Sequence, residues 1–343
     1  MGGDGSGDKL VPWVEKYRPR KLVDVSAQSQ VVSALSASLE SGQVPHLLFY
    51  GPPGTGKTST IIAMCKELYG EHYKERVLEL NASDERGISV VRDKVKTFAQ
   101  TAVGSGFVDD GASGKRALPP FKLIILDESD SMTDDAQSAL RRVMELYTRV
   151  TRFCLVCNYV SRIIEPLASR CAKFRFEPLP DTAFKAKIAS ICAAERVQMD
   201  DDSRETLARV AGGDLRRGIT LLQTSSQYAA GDAVTSEVVL EMAGLPSHAF
   251  MQQLWAAVKS RRFADLTSCA VELQAQGFAV NAVIGLMQEQ LLAQTDPKFS
   301  DAVKAKVLIK LAAMDKATED GADEDLQFQA LISACSQLYH GAS

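Results

Sequence analysis

The chain has 343 residues, 45% of them hydrophobic and 24% charged, with a formal net charge of −4. That length implies about two to three domains, and the composition is that of an ordinary globular protein, which excludes a fibrous chain and a globally basic nucleic-acid binder. The charge is uneven: residues 1–180 hold 24 Lys and Arg against 22 Asp and Glu, residues 181–343 hold 15 against 21. Any surface for nucleic acid is therefore local and expected in the N-terminal half. No apolar run approaches the about 18 residues of a membrane span, so no membrane partner is expected.

Residues 1–10 are polar and glycine-rich and read as a disordered tail; Gly2 and Ser6 match a myristoylation pattern that such tails meet by chance. In Val11–Arg20, Pro12 and Pro19 oppose a regular helix and predict an extended arm. A helix is expected over Gln30–Leu39, broken at Ser41-Gly42, then a strand at His46–Tyr50. Gly51-Pro52-Pro53-Gly54-Thr55-Gly56-Lys57-Thr58 follows directly, and Ile61, Ile62, Cys65 and Leu68 then recur at helical spacing. Strand, glycine-rich loop and helix is the context in which G-x-x-x-x-G-K-[ST] binds phosphate. Free backbone N–H groups at a helix N-terminus attract anions, and Gly54 and Gly56 permit close approach. Pro52 and Pro53 lack an N–H, so Gly54 to Thr58, with Ser59 beyond, are the expected donors. Lys57 is expected on the β- and γ-phosphates of ATP, and the Thr58 hydroxyl on Mg²⁺.

A short strand is expected at Val77–Leu80, then a helix with Val91, Val95 and Phe98 on one face. Ala102–Pro120 is rich in Gly, Ser, Asp and Pro and reads as a mobile loop. The buried strand Phe121–Leu126 ends in Asp127-Glu128-Ser129-Asp130, and Ser131 with Asp134 predicts a capping box for a helix carrying Ala136, Leu140, Val143 and Met144. A strand end near the phosphate loop suits Asp127 to hold Mg²⁺, and Glu128 to polarise an attacking water; alone, the pair would be an ordinary acidic turn. Strands at Arg152–Cys157 and Lys173–Phe176 complete a five-stranded parallel sheet covered by helices, an α/β P-loop domain. Cys154-x-x-Cys157 lacks a second pair at ligand spacing and reads as core, and the seven cysteines suit a reducing compartment.

Asn158, at the fourth strand's tip, is placed to touch the γ-phosphate and the water. Spacing leaves Arg170, in Ser169-Arg170-Cys171, either a surface residue or a finger reaching a neighbouring subunit's ATP. Arg216, at a helix start after Gly212-Gly213-Asp214, is a candidate γ-phosphate sensor. After Pro178-Leu179-Pro180 the pattern is helical, with a break at Leu245-Pro246-Ser247 before Phe250, Leu254 and Val258. The expected division is a nucleotide domain over 11–180, a helical lid over 181–244 and an all-helical collar over 245–343.

Trp13-Val14-Glu15-Lys16-Tyr17-Arg18-Pro19, Gly51–Thr58, Leu126–Asp130, Ser169–Cys171, Gly213–Arg216 and the run Arg152–Pro166 occur together in this order. The chain thereby resembles AAA+ clamp loaders, and among them the small subunits of eukaryotic replication factor C, over roughly residues 9–340. The resemblance implies a nuclear heteropentamer with four other replication factor C subunits, which uses ATP and Mg²⁺ to open the sliding clamp PCNA and close it around primer–template DNA. It implies that Val14, Tyr17 and Arg18 border the adenine and phosphates, that Asn158 and Arg216 are the two sensors, and that Arg170 is the finger acting in trans. Ser129 stands where alanine is commoner. Arg86, Arg92, Lys96 and Arg162 are the positions implied to track the DNA backbone, a sequence-independent contact weakened by salt; spacing alone would leave them solvated charges. Two alternatives remain: another AAA+ motor such as a branch-migration helicase, and a scaffold that binds ATP without hydrolysing it.

Overall fold

The computed structural model describes residues 11–25, 28–83, 88–101, 104, 106–109 and 115–341; the tail expected over 1–10 lies outside them. The chain divides into two compact units, Met1–Val197 with Leu207–Gln223, and Gln198–Thr206 with Thr224–Ser343.

The first unit opens with the helical turn α1 (Trp13–Lys16) and helix α2 (Ser29–Glu40). Strands and helices then alternate: β1 (Leu47–Tyr50), α3 (Lys57–Tyr69), the turn α4 (Tyr73–Arg76), β2 (Val77–Asn81) and α5 (Ile88–Gln100). The short strands β3 (Phe107–Asp109) and β4 (Lys115–Ala117) follow, then β5 (Lys122–Asp127), α6 (Asp134–Tyr147), β6 (Thr151–Cys157), the turn α7 (Glu165–Ala168) and β7 (Ala172–Arg175). Five strands pair in parallel in the order β2-β5-β6-β1-β7.

Helices cover both faces of this sheet, which is why its strands are apolar at nearly every position. On β5, Leu123 and Ile125 join a cluster with Leu35 of α2 and Ile61 and Leu68 of α3. Ile124 and Leu126 point the other way, to Val95 of α5 and Leu140 and Met144 of α6. Cys154 and Cys157 divide between the same two clusters, three residues apart on one strand. Burial raises both thiols' pKa, that of Cys157 to about 12, so they pack as small apolar groups.

Three local expectations fail for identifiable reasons. The Val11–Arg20 arm contains a helical turn, because Pro12 sits before its first residue and only accepts, from the N–H groups of Glu15 and Lys16 at 2.9 and 3.0 Å. A proline there costs the helix no hydrogen bond. The segment read as a loop over 102–120 includes the antiparallel pair β3–β4, with Phe107 opposite Ala117; three-residue strands are too short to show alternation. Helix α6 is capped by Thr133, whose hydroxyl accepts from the Ala136 N–H at 3.4 Å, while the Ser131 hydroxyl donates to the Glu128 carbonyl at 2.7 Å.

Beyond β7 the named elements are all helices, α8 (Asp181–Glu195), α9 (Asp201–Ala211) and α10 (Leu215–Ala229), of which the last two contribute residues to both units. The second unit continues with α11 (Ser236–Met242), α12 (His248–Lys259), α13 (Phe263–Gln276), α14 (Val280–Ala293), α15 (Asp301–Glu319) and α16 (Glu324–His340). Phe250, Leu254 and Val258 share the buried face of α12 and meet Val283, Met287, Val307, Phe328 and Ile332 in one core. Ser247 ends the chain break by capping α12, accepting from the Phe250 N–H at 3.2 Å. Trp255 is a core residue whose ring packs edge-on against Phe299, centroids 5.6 Å apart, and whose indole N–H donates to Gln290 Oε1 at 2.7 Å.

Candidate functional site

A parallel sheet ends its strands along one edge, and ligand crevices form beyond those carboxyl ends. Here the edge gathers Asn81 at the end of β2, Asp127 at the end of β5 with Glu128 beyond it, Asn158 after β6, and the glycine loop after β1. They line one cavity of about 400 Å³, all of it within the first unit.

The loop's shape follows from two close approaches. A Cβ on Gly51 would stand 2.1 Å from the Phe176 carbonyl oxygen, and one on Gly54 would stand 1.8 Å from Asp214 Oδ1. Gly54 also has a left-handed φ of 69°, so this position excludes side chains on both counts. Its carbonyl accepts from the Leu215 N–H at 3.4 Å, and this brings the start of α10, with Arg216, to the cavity wall. Pro53, Gly54, Thr55, Gly56, Lys57, Thr58 and Ser59 line the cavity at the start of α3, where first-turn N–H groups have no intrahelical partner and favour an anion. Gly51 and Pro52 act differently: their carbonyls accept from Lys57 Nζ at 2.7 and 2.8 Å.

Lys57 donates a third bond, to Asn158 Oδ1 at 2.9 Å. Burial lowers the ammonium's pKa and the nearby Asp127 carboxylate opposes that. The Thr58 hydroxyl donates to Asp127 Oδ2 at 2.7 Å. A hydroxyl and a carboxylate so placed are hard oxygen donors of the kind Mg²⁺ takes, with substrate phosphate oxygens and waters as its usual remaining ligands, so these residues fit the ion.

Glu128 is exposed and adopts φ 52°, ψ 38°, a left-handed conformation uncommon outside glycine. Its N–H donates to Asp127 Oδ1 at 2.9 Å and its carbonyl accepts from Ser131 N–H at 2.9 Å, which fixes the turn. Such backbone strain collects where a side chain must be aimed. Ser129 is buried and donates to the Leu126 carbonyl at 2.7 Å, so the hydroxyl that replaces the commoner alanine is satisfied inside the turn.

Sequence reasoning missed the residues that hold this edge together. Asp130 accepts from the N–H groups of Asn158 and Tyr159, both at 3.1 Å, tying the β5 turn to the β6 tip. Gln137 of α6 is fully buried; it donates to the Arg162 carbonyl at 2.9 Å and accepts from the Ile164 N–H at 2.8 Å. Asn81 and Lys187 line the cavity as well. Asn81 had a readable signal, a polar residue closing an apolar strand and paired in register with Asp127. Lys187 had none, because only the fold brings α8 there.

Val14, Tyr17 and Arg18 all line the cavity, with Leu179, Leu215 and Ile219 adding apolar wall. Arg170 does not line it. Its guanidinium instead donates to Glu145 Oε1 at 2.6 Å and to the Pro166 carbonyl at 2.5 Å, on an exposed surface where Arg141 also reaches Glu145 at 3.1 Å. Hydrogen bonding from Arg141, together with the charge of Arg170, holds the Glu145 carboxyl below its usual range. Of the four positions expected on DNA, Arg86 lies outside the described residues and Arg92 belongs to a stretch of α5 described by its backbone alone. Lys96 is exposed on α5, and Arg162 is exposed with its guanidinium 5.3 Å from the Tyr159 ring centre.

Comparison with known proteins gives two family matches: the ATPase family associated with various cellular activities (AAA) over residues 47–179, and the replication factor C C-terminal domain over residues 246–334. The chain is 48% identical to replication factor C subunit 4 of Homo sapiens, covering 98% of this chain and 90% of that protein. It is 46% identical to replication factor C subunit 2 of Saccharomyces cerevisiae, over 95% of this chain and 93% of the other. Among solved structures, the Thermotoga maritima RuvB Holliday junction branch migration motor superposes with a TM-score of 0.50 at 17% identity, covering 75% of this chain and 85% of that one. At that identity the likeness speaks for the fold alone.

Proposed function

The chain belongs to the replication factor C subunit family, and from that premise we propose that it is an ATP-hydrolysing clamp-loader subunit. It acts in the nucleus, in a heteropentamer with four other replication factor C subunits, to open the sliding clamp PCNA and close it around primer–template DNA. The observation that carries this reading is the convergence of Lys57, Thr58, Asp127, Glu128, Asn158 and Arg216 on one cavity at the strand ends. A scaffold that only binds ATP has no need of Glu128 aimed from a strained turn. The identity to replication factor C subunits, set against a RuvB likeness limited to fold, favours a clamp loader over a branch-migration helicase.

In this reading Val14, Tyr17, Leu179 and Ile219 receive the adenine, and the N-terminus of α3 receives the phosphates. Lys57 exchanges the Gly51 and Pro52 carbonyls for β- and γ-phosphate oxygens. Thr58 and Asp127 would hold Mg²⁺, which would supply positive charge to offset that of the phosphates. The Glu128 carboxylate accepts the hydrogen bond of the attacking water and draws off its proton. Asn158, its oxygen engaged by Lys57, turns its amide nitrogen toward the γ-phosphate, and Arg216 meets the same group from α10. Arg170, which does not line its own cavity, completes the site of a neighbouring subunit. Arg86, Arg92, Lys96 and Arg162 follow the DNA backbone, and residues 11–180, 181–244 and 245–343 work as nucleotide domain, lid and collar.

The test is reconstitution with the four partner subunits, followed by ATPase measurement with and without PCNA and primed DNA. Turnover rises when both are present, and Glu128→Gln removes this site's share while ATP still binds. A rate indifferent to clamp and DNA, or unaltered by Glu128→Gln, overturns the assignment.

A further inference from the structure

The arm that carries Val14, Tyr17 and Arg18 into the cavity holds only one helical turn with no buried residue, too short to order by itself. Two side chains that do not themselves line the cavity tie this one. At the end of α8, Glu195 Oε1 accepts from the Tyr17 hydroxyl at 2.5 Å and from Lys16 Nζ at 2.9 Å. In α10, Gln223 Oε1 accepts from the Trp13 N–H at 3.0 Å. The Glu195 side chain is 17% exposed and that of Lys16 is 28% exposed, so solvent screens the pair only partly. Burial alone would raise the Glu195 carboxyl's pKa, yet the bonds from Tyr17 and Lys16 outweigh it and hold the group below its ordinary range.

The helices that receive the arm also carry Lys187, Leu215, Arg216 and Ile219 into the cavity. The arm's tether and the nucleotide wall are thus parts of the same two helices. Glu195 meets the arm at consecutive residues, Lys16 and Tyr17. A charge-assisted bond to each holds the arm both in position along the helix and in rotation, which a single contact would not do.

We propose that Glu195 is a positioning residue for nucleotide binding: it latches the arm to α8, and so closes the base side of the cavity without touching the nucleotide. The phosphate cradle is built from the β1 loop and α3, and Arg216, which α10 adds to it, follows directly on Leu215, whose N–H bonds the Gly54 carbonyl, so its placement does not depend on the arm. The latch therefore governs affinity for a nucleoside phosphate and leaves affinity for a bare polyphosphate alone. This inference rests on reading the cavity as a nucleotide site.

The experiment measures equilibrium binding of ADP and of inorganic tripolyphosphate to the full-length chain by calorimetry. Glu195→Ala lowers ADP affinity about tenfold, the scale of one charge-assisted hydrogen bond, and leaves tripolyphosphate affinity unchanged. Glu195→Gln keeps an acceptor oxygen but not the charge, and gives a smaller loss on ADP alone. Unaltered ADP affinity in both Glu195 variants overturns the proposal. So does an equal loss on both ligands, which would mark a general loosening of the fold. Failure of the unsubstituted chain to bind ADP breaks the nucleotide-site reading instead, and is seen before any variant is made.

Discussion

The two compact units solve the burial problem differently. The second unit has one apolar core and the first has two, one on each face of its sheet, and their buried polar groups are of different kinds. Among the described residues, those of the first unit include the charged side chains Lys57, Arg76 and Lys122, the imidazole of His46 and the amides of Gln28 and Gln137; those of the second are the hydroxyls of Ser203, Thr206, Ser225 and Ser336. A helix satisfies its own carbonyls, so an all-helical unit needs few buried donors. An α/β unit has connections whose carbonyls need partners from elsewhere. Lys122 Nζ donates to the Phe98 carbonyl at 3.3 Å and Arg76 donates to the Pro119 carbonyl at 3.4 Å. Lys57 belongs with these by its bonds, yet it alone of the three sits on the cavity wall. The difference teaches that in the first unit one device, a buried cation on backbone carbonyls of connections and of a helix's last turn, both braces the fold and holds a charge ready for a ligand.

The strongest way to sharpen this contrast is at Arg170, a charged group that the first unit does not use in its own cavity. Arg170→Ala in the assembled complex should reduce turnover at the neighbouring site by about 10³–10⁵, read by single-turnover hydrolysis. A change smaller than tenfold would return Arg170 to the status of a surface residue paired with Glu145. Leu254→Ala addresses the other side. That side chain is wholly buried in the helical core, and its truncation should cost about 2–5 kcal/mol of stability, read by denaturant unfolding. Nucleotide affinity should stay as it was; if it falls, the units are not separable in function.

Acid should find the first unit through His46. Its Nδ1 accepts from the Phe153 N–H at 3.1 Å, and burial, followed by the charge of Arg152, lowers its pKa from 6.5 to about 4. The folded state therefore binds fewer protons than the unfolded one between those values. The stability this provides is complete above pH 6.5 and is lost as pH falls through 4, about 3 kcal/mol in all. His46→Gln keeps an acceptor without the titration, so its stability curve should be flatter over that window. The smallest effect is expected at Lys57. Lys57→Ala should weaken ATP binding by about 1.5–3 kcal/mol, the value of hydrogen bonds to a charged group, read by calorimetry on the full chain.

Much of the sheet was legible because both its faces are buried, which turns each strand into a short apolar run. The phosphate loop was legible because its motif is a short-range pattern between an apolar run and a helical one, although the contacts that demand Gly51 and Gly54 come from distant Phe176 and Asp214; Asp127 and Glu128 were legible because they close such a run. The arm's helical turn and the Thr133 cap escape a sequence reading because each depends on a single residue's geometry, and the β3–β4 pair because three-residue strands show no alternation. Asp130 was passed over because an aspartate in an acidic turn looks the same whether or not its oxygens meet two N–H groups of another strand. Glu195 lies 178 residues from Tyr17, and no local pattern connects them.

By itself the sequence determined the kinds of chemistry present: a loop for phosphate, a hydroxyl and a carboxylate suited to Mg²⁺, and a carboxylate suited to activate water. These are properties of residue types at short spacing, and short spacing survives in the unfolded chain. Only the tertiary structure decided which groups meet. It brought Lys57 to Asn158, Asp130 to the β6 tip, the start of α10 to Gly54 and the arm to Glu195, while pairing Arg170 with Glu145 outside the cavity lining. The reason is geometric. A parallel sheet aligns the ends of strands that are distant in the chain, and helices placed by packing carry their side chains to that edge from positions no local pattern can anticipate.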